Sequence, residues 1–209
     1  MRTNILRGLI VSIASIALVS TAAAQDVATP APLGAAECTV APIDPDSYNA
    51  AIQASTPPLA QPIVASGFPA DEETIAGVTD AIQQSVACTN IGDLGRLLAV
   101  IDPAYAPTLL GVPFADIPAA VEAAAATSNL AGPATPLVDD LDQGGLVSSL
   151  LGISDIVELE DGTSAAVATV QRIGYPATTF TIYLRYDETE GRYIITNYTF
   201  HPLEATPTS

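Results

Sequence analysis

Residues 163–201 read TSAAVATVQRIGYPATTFTIYLRYDETEGRYIITNYTFH. Within this stretch the apolar period is two, which is the signature of half-buried strands. Phe180, Ile182 and Leu184 share one face of the central run, and Thr179, Thr181, Tyr183 and Arg185 share the other. Runs over Thr163–Ile173, Ala177–Tyr186 and Arg192–His201, with one upstream at Leu146–Glu160, predict four strands. Their breaks are Asp161-Gly162, Gly174-Tyr175-Pro176 and Glu188-Thr189-Glu190-Gly191. Asp161-Gly162 predicts a two-residue hairpin turn. Connections this short make consecutive strands antiparallel neighbours.

Upstream the period becomes helical. Asp71 predicts a helix start, because its carboxylate can cap orphan amides, and Glu72 and Glu73 suit the positive end of the helix dipole. Ile75, Val78, Ile82 and Val86 recur at spacings of three and four and predict one apolar stripe, with Cys88 near the helix end. Gly92 predicts the stop and Asp93 the cap of a second helix, whose buried side is Leu94, Leu97, Leu98 and Ile101 and which ends at Asp102-Pro103. Phe114–Thr127 predicts a third helix, with Asp116 as its cap and Pro118 tolerated in the first turn. Pro133, Pro136 and Gly144-Gly145 mark a loop. Helices followed by an antiparallel sheet define the class as α+β.

The N-terminal end reads differently. Arg2 and Arg7 precede an apolar run from Leu9 to Val19, and Ala22 and Ala24 fit the small-residue rule of a signal peptidase site. The run is shorter than the roughly 20 residues that span a bilayer. Residues 1–24 are therefore expected to be a signal peptide cleaved near Ala24, leaving a secreted or cell-envelope protein. Residues 25–36 are an Ala/Pro/Gly spacer, and Pro42, Pro45, Pro57, Pro58, Pro62 and Pro69 forbid long regular structure apart from a short helix near Ser47–Ala54. Residues 25–70 are thus expected to form an extended arm, 71–203 the folded domain and 204–209 a flexible tail. Outside the cytosol two cysteines are more often bridged than free, so Cys38 and Cys88 are expected to form a disulfide pinning the arm. The closed loop of about 50 residues is worth roughly 4 kcal/mol by chain entropy.

The chain carries 23 acidic and 6 basic residues, with no lysine. Cleavage after Ala24 would remove two of the basic residues, Arg2 and Arg7, taking the formal charge from -17 to -19. Such a surface repels phosphate backbones and anionic bilayers and tolerates cationic partners. Nucleic acid is excluded as a partner, and so is a membrane after cleavage.

The segment Ala87-Cys88-Thr89-Asn90-Ile91-Gly92-Asp93-Leu94, a helix, then N-x-G-D-L, then a short helix, resembles the opening of nuclear transport factor 2-like, or SnoaL-like, domains. The closing meander, with its acidic turn before Arg192-Tyr193-Ile194-Ile195, is similar to their final hairpin. The likeness covers roughly Asp71 to Leu203. It departs from the family in the Pro-rich arm and the Ala/Pro-rich middle. It implies N-terminal helices set in the mouth of a curved antiparallel sheet, forming a cone with a cavity. It does not imply one activity, since the same cone serves isomerases, dehydratases, cyclases and non-enzymatic modules. It also implies a homodimer through an exposed sheet face, for which Thr179, Thr181, Tyr183 and Arg185 are candidates.

Catalytic candidates are sparse. His201 is the only histidine and ends the last strand, on a face expected to include Ile195, Asn197 and Thr199. Asp93 is explained by helix capping. Tyr105, Tyr183, Tyr193 and Tyr198 could line a pocket and donate to a carbonyl oxygen, a chemistry that needs a Tyr donor and an acid in one apolar cavity. Asp139-Asp140-Leu141-Asp142-Gln143-Gly144 fails as a calcium loop at its fifth and twelfth positions, Gly144 and Leu151. There is no serine elbow, phosphate loop, zinc pattern or dinucleotide fingerprint, so neither metal nor cofactor is expected. The expectation is a non-enzymatic domain binding a small apolar ligand or an envelope protein. The alternative is an isomerase, dehydratase or cyclase using a pocket tyrosine with an Asp or His201.

Overall fold

A computed structural model describes residues 30–56, 66–129 and 147–201. The expected signal peptide, the tail at 204–209, Pro57, Pro58, Pro62 and the acidic turn at Asp139 to Gly144 lie outside these residues. The chain is α+β. Its elements are α1 (Pro45–Ala54), β1 (Phe68–Pro69), α2 (Glu72–Asn90), α3 (Leu94–Ala99), α4 (Ala106–Leu110), a 3-10 turn (Phe114–Asp116), α5 (Ile117–Asn129), β2 (Ser148–Glu158), β3 (Ser164–Arg172), β4 (Thr178–Asp187) and β5 (Arg192–Phe200). The five strands form one sheet in sequence order, antiparallel throughout.

The four expected strands are present within two residues of their expected ends. β1 was not expected, because Pro69 argues against a strand. It survives as a two-residue edge piece, where a missing N–H is tolerated. The first hairpin has a three-residue loop instead of two. Leu159 N donates to Thr163 O at 2.8 Å, Gly162 N donates to Leu159 O at 3.0 Å, and Gly162 takes φ +81°. That is a β-turn closed by a left-handed glycine, a conformation glycine adopts without steric cost.

Three register shifts, two in β2 and one in β5, reset the facing of side chains. In β5, Tyr183 pairs with Asn197 but Leu184 pairs with Ile195, so Thr196 is the extra residue. Ile195 therefore joins Leu184 on the helix-covered face, while Asn197 and Thr199 stay opposite. The expected row Ile195–Asn197–Thr199 is broken because period-two reading fails across a bulge. In β2 the register shifts between Ser154 and Val157, where Asp155 takes φ +51°.

α2 lies across the sheet, and its caps are those expected. Asp71 accepts from Thr74 N at 2.8 Å, Gly92 takes φ +71° and Asp93 accepts from Arg96 N at 3.0 Å. The buried face of α2 is broader than the expected stripe. Val78 and Ile82 are fully buried, with Ala81, Ser85, Ala87 and Cys88, whereas Ile75 is 42% exposed and Val86 is half-buried. Close approach needs small residues, and at Gly77 an added Cβ would lie 2.6 Å from the Tyr193 ring. α3 is shorter than expected. Ile101 leaves it to bridge Ile195 in parallel, and Leu94 is 37% exposed. α4 was not expected, since Pro107 reads as a breaker, yet at the second helical position its missing N–H costs nothing.

The segment expected as an arm is part of the core. Cys38, Val40, Tyr48 and Ile52 are buried in one cluster with Ile82, Leu98, Ile182 and Ile195. The Tyr48 hydroxyl donates to Ile101 O at 2.9 Å, and Gln84 Oε1 accepts from Val40 N at 2.8 Å. A boundary at residue 71 would cut through this packing. The Cys38–Cys88 disulfide is formed. It suits an oxidising compartment. No described helix is long and apolar enough to cross a membrane.

The double substitution Cys38→Ala/Cys88→Ala is expected to lower unfolding free energy by about 4 kcal/mol, from the loop it opens. Urea titration with and without reductant measures this. The reductant should shift the midpoint of the parent and leave that of the variant unmoved.

Candidate functional site

Helices cover one face of the sheet and fill it. Ile182, Leu184, Ile195, Ala166 and Ala168 meet Val78 and Ile82 of α2, all nearly without solvent contact. The polar groups on this side include several tyrosines and Ser85 of α2. Tyr105 and Tyr198 stack at 5.8 Å between ring centroids. The Tyr105 phenol is hydrogen-bonded to the Tyr198 backbone, and the Tyr198 phenol contacts the Ser85 hydroxyl. Burial pushes the pKa of Tyr48, Tyr105 and Tyr198 upward, because a phenolate there would lose its hydration.

The three catalytic candidates occupy three separate places. Tyr105 is in the filled interior, 8% exposed. Asp93 sits between α3 and α5, 4% exposed, accepting from the Ser128 hydroxyl as well as from Arg96 N. Its other oxygen faces Arg96 Nε at 3.5 Å, which completes a structural ion pair. His201 lies across the sheet from the helices. Its Nε2 is 2.8 Å from Thr181 Oγ1, and its backbone N donates to Thr179 O at 3.0 Å. It borders an open recess of about 440 Å³ with Asp155, Ser66, Val167 and Thr181.

The face expected to dimerise is not an open strip. Thr181 and Tyr183 are each 1% exposed in the monomer, which leaves Thr179 and Arg185 as its accessible members. Arg185 is committed, with Nε donating to Asp102 Oδ2 at 2.6 Å and its fork near Asp187 at 3.5 Å. No group of three or more His, Cys, Asp or Glu side chains among the described residues is placed to hold a metal ion.

A second open recess, about 590 Å³, lies where the N-terminal half of α2 meets the β4–β5 hairpin. Tyr186 and Tyr193 stand edge to face at 5.4 Å, and Tyr186 is 49% exposed. The Tyr193 hydroxyl donates to Thr74 Oγ1 at 3.1 Å, and Thr74 Oγ1 in turn donates to Glu158 at 2.9 Å. Glu73 and Asp80 rim the recess on the exposed side of α2. Tyr193 was among the tyrosines named from the sequence for a pocket, and Tyr186 was not. Their pairing depends on the Thr196 bulge, which period alone does not reveal.

No family model, curated protein or solved structure matches the chain.

The buried phenols make a prediction for alkaline pH. Their folded pKa lies above the ordinary 10.0, so the stability they contribute is intact below that value and is lost as pH climbs beyond it. Phenolate absorbance near 295 nm from Tyr48, Tyr105 and Tyr198 should rise together with loss of the far-ultraviolet dichroism. Ionisation of these three well before unfolding would show that the interior is wet.

Proposed function

We propose that the chain is an exported, non-catalytic binding module built on the nuclear transport factor 2-like cone plan, and that its partner is a protein. One observation carries the reading: Tyr105, Asp93 and His201 are dispersed over the interior, a helix junction and the opposite sheet face. General acid–base work needs its groups within hydrogen-bond reach of one substrate. An isomerase, dehydratase or cyclase of the SnoaL-like kind would need an acid beside Tyr105 or Tyr198, and among the described residues the polar neighbours of those phenols are Ser85 and backbone. The helix-covered face is packed with aliphatic side chains, which disfavours a small apolar ligand held inside the cone. The recesses that remain are open ones at the surface, which favours a protein partner. The signal-peptide pattern at residues 1–24 and the disulfide support export.

Nitration with tetranitromethane tests the closed interior. In the native protein Tyr175 and Tyr186, 58% and 49% exposed, should react, while Tyr48 and Tyr105, 9% and 8% exposed, should react only after denaturation. Native-state nitration of Tyr105 would reopen the enzymatic reading.

A further inference from the structure

The recess beside Tyr186 and Tyr193 combines three features that arise separately. The first is an aromatic pair with one ring half exposed. The second is space made by a glycine. At Gly77 a Cβ would collide with the Tyr193 ring at 2.6 Å, so the helix comes close there and presents no side chain over the rings. The third is a row of charge. Glu73, Gly77 and Asp80 follow one another at spacings of four and three on α2, and this puts the two carboxylates on one side of the helix with the gap between them. Among the described residues lining the recess the one cation is Arg192, which is paired with Glu190 at 3.2 Å.

We infer that this recess docks a basic, extended segment of a partner protein, with a guanidinium or ammonium group lying against Tyr186 and the acidic row of α2. The inference rests on the binding-module reading and gives it an occupant. A cation is attracted to an aromatic face by the ring quadrupole. Neighbouring carboxylates reinforce that attraction. Seven helical residues put Glu73 and Asp80 about 10 Å apart. Alternate residues of an extended chain project to one side about 7 Å apart, and the length of the arginine side chain covers the remainder. The segment that fits therefore carries basic residues at positions i and i+2. A second copy of this chain is a poor occupant. It has no lysine, and among its described arginines Arg96, Arg185 and Arg192 are in ion pairs, which leaves Arg172, a single exposed cation where the segment needs two. Nucleic acid and anionic lipid are repelled by 23 acidic residues against 6 basic ones.

The probe is an acetylated, amidated peptide with two arginines two residues apart in a Gly/Ser background, titrated into the full chain by calorimetry at low ionic strength. Comparison peptides carry the arginines adjacent to one another or replaced by citrulline. We expect saturable binding of the i, i+2 peptide and weaker binding of both controls. Glu73→Gln/Asp80→Asn and, separately, Tyr186→Ala should each reduce affinity by about ten-fold, in line with the strength of exposed ion pairs and cation–π contacts. Glu122→Gln/Glu160→Gln, which removes two exposed acids outside the recess, should change affinity by less than about two-fold. Equal losses in the two double variants would overturn the inference, since the acidic coat as a whole would then be attracting the peptide. Absence of binding would also overturn it. In either case protected interior tyrosines would leave the binding-module reading standing, whereas nitrated ones would remove both.

Discussion

The C-terminal end of α2 holds the molecule together. Cys88 is bonded to Cys38, and two residues later the buried Asn90 binds in three directions. Its amide nitrogen donates to Leu33 O at 2.8 Å and to Ser148 O at 2.9 Å, and its amide oxygen accepts from Ser148 N at 2.8 Å. An N-terminal segment, a helix and the first long strand thus converge on one helical turn. Three such bonds are together worth about 2–4 kcal/mol, and losing the asparagine would also strip partners from buried backbone groups. Gly92 then reverses the chain and Asp93 starts α3, so the N-x-G-D-L stretch is a joint with a separate task for each polar residue.

That joint sets what the rest can do. With α2 fixed across the sheet, its small residues let the backbone settle onto β2, β3 and β5, and the space between helix and sheet is taken by Val78, Ile82, Ile182 and Leu184. At the other end of α2, Thr74 links Glu158 and Tyr193, and Gly77 leaves room beside the rings. The same packing that closes the interior therefore leaves the helix's outer side and the β4–β5 hairpin with an open aromatic notch. In the proposed binding module this notch, and not the interior, is the docking place.

Much of this was legible in the residues. The strand pattern, the caps at Asp71 and Asp93 and the helix stop at Gly92 each follow from local chemistry that tertiary contacts do not override. The disulfide followed from the cysteine count and the expected export. What was hidden is non-local. The short helix near Ser47–Ala54 was expected in the Pro-rich arm, but its prolines gave no sign that Tyr48 and Ile52 on that helix reach the core. The Thr196 bulge inverts one half of β5 relative to the other, which misassigned Ile195 and concealed the Tyr186–Tyr193 pair. His201 suited acid–base work by residue type, although its place at the end of the last strand already read as structural. The register puts it on Thr181, across the sheet from Tyr105 and Tyr198.

The central claim is that arm, helices and sheet are one sealed cooperative core. Native-state amide hydrogen exchange tests it most directly. The account predicts that amides in α1, the last turn of α2 and β4 exchange with the same free energy, equal to that of global unfolding. Exchange of α1 and the end of α2 at a markedly lower free energy than β4 would contradict it, because the helical cover would then lift off a sheet that stays folded.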